Sequence, residues 1–177
     1  MMSLSLEKYQ QKRKFEKTPE PEGVVGGNKG LKDNHIFVIH DHYARQHHHD
    51  LRLEMPRRLS GSGFRPGSVG SVLKSWAVPK LTPEKAGIKR LAVQVEDHPL
   101  EYANFTGTIP EGQYGAGEVK IFDHGTYKLI HQSKNSLEFE LNGKKLKGIW
   151  ALVQFKGESK NWLFFKTTKK LSKNDKP

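Results

Sequence analysis

The sequence predicts an all-β protein, an antiparallel sandwich or barrel. Three observations carry this: short apolar–polar alternations, turn signals between them, and no helical pattern of comparable length. Nine strands are expected, at Ile36–His40, His47–Met55, Val72–Val78, Arg90–Glu96, Glu118–Phe122, Thr126–His131, Leu137–Leu141, Leu146–Phe155 and Trp162–Thr167. In the fourth, Leu91, Val93 and Val95 form an apolar face, while Gln94 and Glu96 take the other. Asn142-Gly143 between two strand patterns predicts a tight hairpin turn. Residues 107–117, Gly-Thr-Ile-Pro-Glu-Gly-Gln-Tyr-Gly-Ala-Gly, precede a strand instead of opening a helix. They read as a structural turn and not as a phosphate cradle.

The ends differ from the middle. Residues 1–34 read as a flexible N-terminal arm, with a short charged helix within Glu7–Lys17 that stops at Thr18-Pro19-Glu20-Pro21. Gly23–Gly30 is glycine-rich. Residues 35–168 hold the strands, and 169–177 form a lysine-rich tail. Pro56–Ser71, rich in Gly, Ser, Pro and Arg, predicts a long loop.

At 177 residues, 34% hydrophobic and 28% charged, the chain suits one domain with a modest core. It has no cysteine, so disulfides and thiolate metal sites are excluded. No apolar run approaches a membrane span or a signal-peptide core, so the expected compartment is the cytoplasm and no membrane partner is expected. The net charge of +11 favours a polyanionic partner such as nucleic acid, although many basic proteins bind none.

The stretch from His40 to Glu54 is the richest in chemistry, and six of the nine histidines fall between His35 and His49. Strand periodicity sends His48, Asp50, Arg52 and Glu54 to one face and His49, Leu51, Leu53 and Met55 to the other. A His-x-Asp pair on one face sets an imidazole and a carboxylate about 7 Å apart at the backbone, close enough to share a metal. His42, six residues before His48, is placed to return as a third ligand. Two imidazoles and one carboxylate leave open positions, as a catalytic metal requires. Arg52, on the same face, is placed to grip phosphate oxygens. A solvated histidine face or an adventitious metal binder would show the same residues. Glu96-Asp97-His98-Pro99-Leu100-Glu101-Tyr102 adds a histidine beside carboxylates, either an acid or phosphate contact or an ordinary turn.

The runs His42…His48-His49-Asp50-Leu51-Arg52-Leu53-Glu54, Leu73-Lys74-Ser75-Trp76-Ala77-Val78-Pro79-Lys80, Val95–Tyr102 and Gly107–Gly117 together resemble the 3′-phosphoesterase domain of bacterial DNA ligase D. The arm, Tyr9–Phe15 with Thr18–Pro21, matches too, and the resemblance runs from Tyr9 to about Lys166. It implies an antiparallel β-barrel of about eight strands. It implies manganese held by His42, His48 and Asp50, and phosphate contacts from Arg52 and His98 supported by Tyr102. Arg13, Glu20 and Glu96 match further polar positions of the family. It implies a phosphodiesterase step that removes a 3′-terminal ribonucleotide and a phosphomonoesterase step that leaves a 3′-hydroxyl. The substrates would be DNA or RNA-ended primer–template 3′ ends. With no polymerase or ligase region following, a free-standing member working with a separate ligase or polymerase is expected. Two features depart from the family. Lys14 stands where an Asp is common, which predicts a weaker diesterase than phosphatase, and the Pro56–Ser71 segment is long, which predicts altered substrate access. Two other readings fit parts of the pattern. His48, Asp50 and His98 mimic the ligand triad of a non-haem iron oxygenase, and a non-catalytic nucleic-acid-binding barrel could carry a structural metal.

Overall fold

A computed structural model describes residues 4–23, 35–56 and 71–168. Residues 57–70 of the expected Pro56–Ser71 loop, the tail at 169–177 and residues 24–30 of the glycine-rich stretch lie outside them. The elements are α1 (Leu4–Gln11), β1 (His35–Tyr43), β2 (His47–Pro56), β3 (Ser71–Val78), β4 (Arg90–His98), a 3-10 turn (Leu100–Asn104), β5 (Gly107–Ile109), β6 (Gly117–Gln132), β7 (Ser136–Gly143), β8 (Lys147–Gln154) and β9 (Asn161–Lys166). Every pairing is antiparallel, in the order β1-β2-β3-β4-β9-β8-β7-β6, and β6 pairs back to β1. The result is a closed eight-stranded barrel, which removes free sheet edges. The three-residue β5 adds to β6 outside the ring.

The barrel interior holds Phe37, Ile39, Leu51, Leu53, Trp76, Val78, Tyr127, Phe139, Leu141, Trp150, Leu152, Trp162 and Phe164. Each such side chain contributes about 1.5–3 kcal/mol when fully buried. A second apolar layer lies outside the wall, where Tyr9, Val38, Leu73, Tyr102, Phe105, Ile109 and Val119 pack together. The β1–β2 wall is therefore covered on both faces, and its polar residues are buried despite strand alternation. The N-terminal segment supplies part of this cover, since Tyr9 is fully buried and donates its hydroxyl to the Pro21 carbonyl at 2.5 Å.

Four local expectations differ from the structure. The helix is Leu4–Gln11 and ends earlier than Lys17. The expected strands 118–122 and 126–131 are one, β6, because Asp123-His124-Gly125 continue the ladder to β1 with a bulge opposite Ile39–His40. The Asp123 carboxylate accepts the backbone N–H groups of Lys144 (2.9 Å), Lys145 (3.1 Å) and Leu146 (2.7 Å). That carboxylate organises the β7–β8 turn, so Asn142 and Gly143 end β7 and the turn follows them. A Cβ on Gly143 would stand 2.3 Å from the Asp123 carboxylate, so only glycine fits there.

In β4 the apolar face is inverted. Ala92 is fully buried and pairs with Trp162, whereas Leu91 is exposed. Inside the barrel the large indoles of Trp76 and Trp162 leave room for alanine, so interior volume overrides the local apolar pattern. Gln94 joins Trp76, Trp162, Met55 and Tyr127 around a cavity of about 850 Å³ at this end of the barrel, and no residue proposed for the site lines it.

Candidate functional site

The site is built on the outer wall of the β1–β2 hairpin. Register pairs His42 with His48, His40 with Asp50 and Val38 with Arg52, so these side chains share the outward face. Asp50 lies between the imidazoles, its Oδ2 3.3 Å from His42 Nδ1 and its Oδ1 3.4 Å from His48 Nε2. Donor atoms of these three residues lie within 4.8 Å of one another, so they could hold a metal ion.

Hydrogen bonds on the far side of each ring set its tautomer. His42 Nε2–H donates to the Gly115 carbonyl at 2.8 Å, which turns Nδ1 toward Asp50. His48 Nδ1–H donates to the Gln46 carbonyl at 2.9 Å, which turns Nε2 toward Asp50, and, against the effect of burial, the hydrogen bond to that carboxylate raises the His48 pKa. Burial pushes the Asp50 carboxyl up, but Arg52 and the two imidazoles outweigh it and hold it well below the ordinary carboxylate range. Two ring nitrogens and a carboxylate converge, a donor set that suits a divalent transition metal able to displace the protons between them.

The opposite face of the same hairpin carries a rival triad, Asp41, His47 and His49. Its tautomer is set the other way. His49 Nδ1 accepts the Thr82 backbone N–H at 3.0 Å, so the ring proton sits on Nε2 and points at Asp41, 3.5 Å away. Freeing that nitrogen for a cation would put the ring proton on Nδ1, against the Thr82 N–H, whereas the far nitrogens of His42 and His48 meet carbonyls. This triad is a hydrogen-bonded latch, with His47 stacked on Tyr43.

Arg52 is held by three partners. Its Nε donates to His40 Nδ1 (3.2 Å), Nη1 to Ser75 Oγ (2.9 Å) and Nη2 to Asp50 Oδ2 (3.4 Å). Its guanidinium lies 4.7 Å from the Tyr102 ring centre. His40 donates its one ring proton, on Nε2, to the Phe105 carbonyl at 3.1 Å, and burial with the Arg52 charge pushes its pKa down to about 3.

His98 reaches the site through a bulge: Leu73 and Ser75, two apart on β3, pair with His98 and Val95, three apart on β4. The irregularity lets Glu96 and His98 both serve the outer face. His98 Nδ1–H donates to the Glu96 carbonyl at 2.9 Å, and its Nε2 accepts from Arg13 Nη2 at 3.3 Å. Burial, then Arg52 and Arg13, hold this imidazole well below its ordinary pKa. It is neutral, with no proton on Nε2 to give, so its resting state is that of an acceptor and not a general acid. Both ring nitrogens are engaged away from the triad, so the structure does not bring His98 together with His48 and Asp50 as an oxygenase-like ligand set.

Arg13, Glu20, Glu96 and Tyr102 complete a buried network with His98. Arg13 bonds Glu20 Oε2 at 2.7 Å and Glu96 Oε1 at 3.3 Å, and Tyr102 donates to Glu20 Oε2 at 2.9 Å. The Tyr102 ring meets His98 edge-on at 4.7 Å. Lys14 is exposed, outside this network. Sequence reasoning passed over His40, Ser75 and the Gly115 carbonyl. Strand period and pairing would have found His40, opposite Asp50, but Ser75 and Gly115 had no sequence signal. Gly117 lets the turn approach, because a Cβ there would stand 2.2 Å from the Tyr43 carbonyl oxygen.

The neutral His98 sets a pH dependence of folding. Its pKa is near 6.5 in the unfolded chain and depressed in the fold, so the unfolded state binds more protons as pH falls. The stability it contributes is present above about pH 6.5 and is lost below it, by about 1.4 kcal/mol per pH unit. In chelator, the urea midpoint should fall between pH 7.5 and 5.0, a window above the range where carboxylates titrate, and His98→Asn should reduce the fall. An unchanged slope in His98→Asn would mean that the imidazole titrates freely in the fold.

Fold and site together define a small antiparallel β-barrel with a candidate metal centre beside a buried guanidinium. Residues 40–154 match the family described as the DNA ligase D 3′-phosphoesterase domain, and the chain belongs to that family of phosphoesterases, which are hydrolases. It is 40% identical over 174 residues to the multifunctional non-homologous end joining protein LigD of Pseudomonas aeruginosa, covering 93% of this chain and 19% of that protein. It is 41% identical over 162 residues to the LigD protein of Mycobacterium bovis and 42% identical over 166 residues to that of Mycolicibacterium smegmatis, covering 89% and 88% of this chain. The chain spans about 19% of the length of each of these relatives. No helix among the described residues is long and apolar enough to cross a membrane.

Proposed function

We propose that this chain is a manganese-dependent 3′-end-healing phosphoesterase. It acts on DNA or RNA-ended primer–template strands as a 3′-phosphomonoesterase and a 3′-ribonucleotide phosphodiesterase. Its setting is end joining in the cytoplasm, with a separate ligase or polymerase as partner. The observation that carries the reading is the convergence of two tautomer-fixed imidazoles and Asp50 directly beside Arg52. Held by His42, His48 and Asp50, a divalent cation would polarise a phosphoryl oxygen and lower the pKa of a bound water. Arg52 offsets charge on the phosphoryl oxygens, with its fork pre-aimed by His40 and Ser75. His98, through its Nε2 lone pair, orients Arg13, and Glu20, Glu96 and Tyr102 hold that guanidinium and its neighbours in place. The basic charge of the chain favours the strand.

The test is product analysis on a labelled primer–template ending in one ribonucleotide, with manganese and with chelator. A 3′-phosphate followed by a 3′-hydroxyl is expected with manganese, and neither with chelator. Binding without turnover in both conditions would instead support a non-catalytic barrel. On matched strands the 3′-phosphate should be removed faster than the ribonucleotide. Lys14→Asp should shift the ratio toward the diesterase, and because Lys14 is exposed the shift should fall below the roughly 10–100-fold of a residue that orients the groups around a metal. Equal wild-type rates, unmoved by Lys14→Asp, would show that position 14 has no part in the chemistry.

A further inference from the structure

Tyr114 lies in the turn between β5 and β6, one residue before Gly115, whose carbonyl holds His42 at 2.8 Å. It is 45% exposed, although its turn touches a buried site. Two cations from the N-terminal segment meet its ring: Lys12 Nζ at 4.8 Å and the Arg13 guanidinium at 5.2 Å from the ring centre. Lys12 also donates to the Tyr114 hydroxyl at 3.4 Å and pairs with Glu96 at 3.0 Å. Arg13 in turn bonds His98. The ring is thus held at the rim of the site by the turn backbone and by two residues wired to the proposed phosphate-facing network, while nearly half of it meets solvent.

Exposed in this way, Tyr114 adds little to the core. A rigid aromatic at the mouth of a site that takes strand ends can stack a base, and stacking tolerates any base because each has a π-face. We propose that Tyr114 is a positioning residue that stacks the base of the 3′-terminal nucleotide; this rests on the phosphoesterase reading. The neighbouring cations support it, since Lys12 and Arg13 hold the ring and their charge favours the strand's phosphates.

The test uses the full chain as wild type, Tyr114→Phe and Tyr114→Ala. Each is assayed on two strands, one ending in an ordinary ribonucleotide and one ending in an abasic ribose with the same phosphodiester. Tyr114→Ala should lose about tenfold in kcat/KM on the base-bearing strand, the range of one aromatic–base stack, and much less on the abasic one. Tyr114→Phe should retain most of the wild-type preference. A strand with 2-aminopurine at its 3′ end, bound in chelator, should be quenched by wild type and Tyr114→Phe and less by Tyr114→Ala. Equal losses on the two strands, or equal quenching by all three proteins, would overturn the proposal and make Tyr114 a fastener of the N-terminal segment. Quenching that depends on Tyr114 without cleavage of either strand would uphold the stacking and sink the phosphoesterase reading.

Discussion

Asp50→Asn is expected to lower manganese-stimulated 3′-phosphatase activity by at least about a thousandfold, the scale of losing a metal that stabilises charge in the transition state. The amide keeps the shape of the carboxylate. It removes the charge that two imidazoles and Arg52 face, and its NH₂ replaces an acceptor oxygen opposite one of the two rings with a donor. Asp50 is buried against Arg52, and breaking such a pair costs about 3–5 kcal/mol, so this variant alone could lose activity by unfolding. His48→Ala separates the two effects, because that imidazole is partly exposed and its loss should spare the barrel. His42→Ala should behave like His48→Ala in activity. Manganese affinity by calorimetry, circular dichroism and turnover on a 3′-phosphate strand are measured for all three. A folded variant with near-wild-type turnover would remove its residue from the metal set.

Arg52→Lys is expected to keep the metal and lose about a hundred- to a thousandfold in kcat, as when one oriented donor to a developing charge is removed. An ammonium is a point charge and cannot reach His40, Ser75 and Asp50 together as the fork does. His98→Ala should also retain metal and lose turnover, through the disorientation of Arg13. Metal content and rate are read on one preparation. Parallel loss of metal and rate in Arg52→Lys would mean that the guanidinium holds Asp50 in place instead of meeting the phosphate.

Much of the barrel was legible because its strands obey a local rule. Alternation located every ring strand to within a few residues. It failed where the ladder is irregular: β6 runs through Asp123-His124-Gly125, and β4 buries Ala92 in place of Leu91. Both failures come from distant partners, the β7–β8 turn that Asp123 organises and the indoles that fill the interior beside Ala92.

The sequence by itself determined that His48, Asp50 and Arg52 share a face, since side-chain direction along a strand needs only a period of two. The same rule puts Asp41, His47 and His49 on the other face, and periodicity cannot choose between the two triads. Tertiary structure chose. The Gly115 and Gln46 carbonyls each take the outer ring proton of a histidine and turn the inner nitrogens toward Asp50, while the Thr82 N–H forces the opposite tautomer on His49. It also turned Glu96 and His98 onto the site through the β4 bulge and closed Tyr9 and Arg13 over it. A tautomer is set by whichever group faces the far nitrogen, and among these partners Gly115 lies 73 residues from His42 and Thr82 lies 33 from His49, separations that only the closed barrel brings into contact.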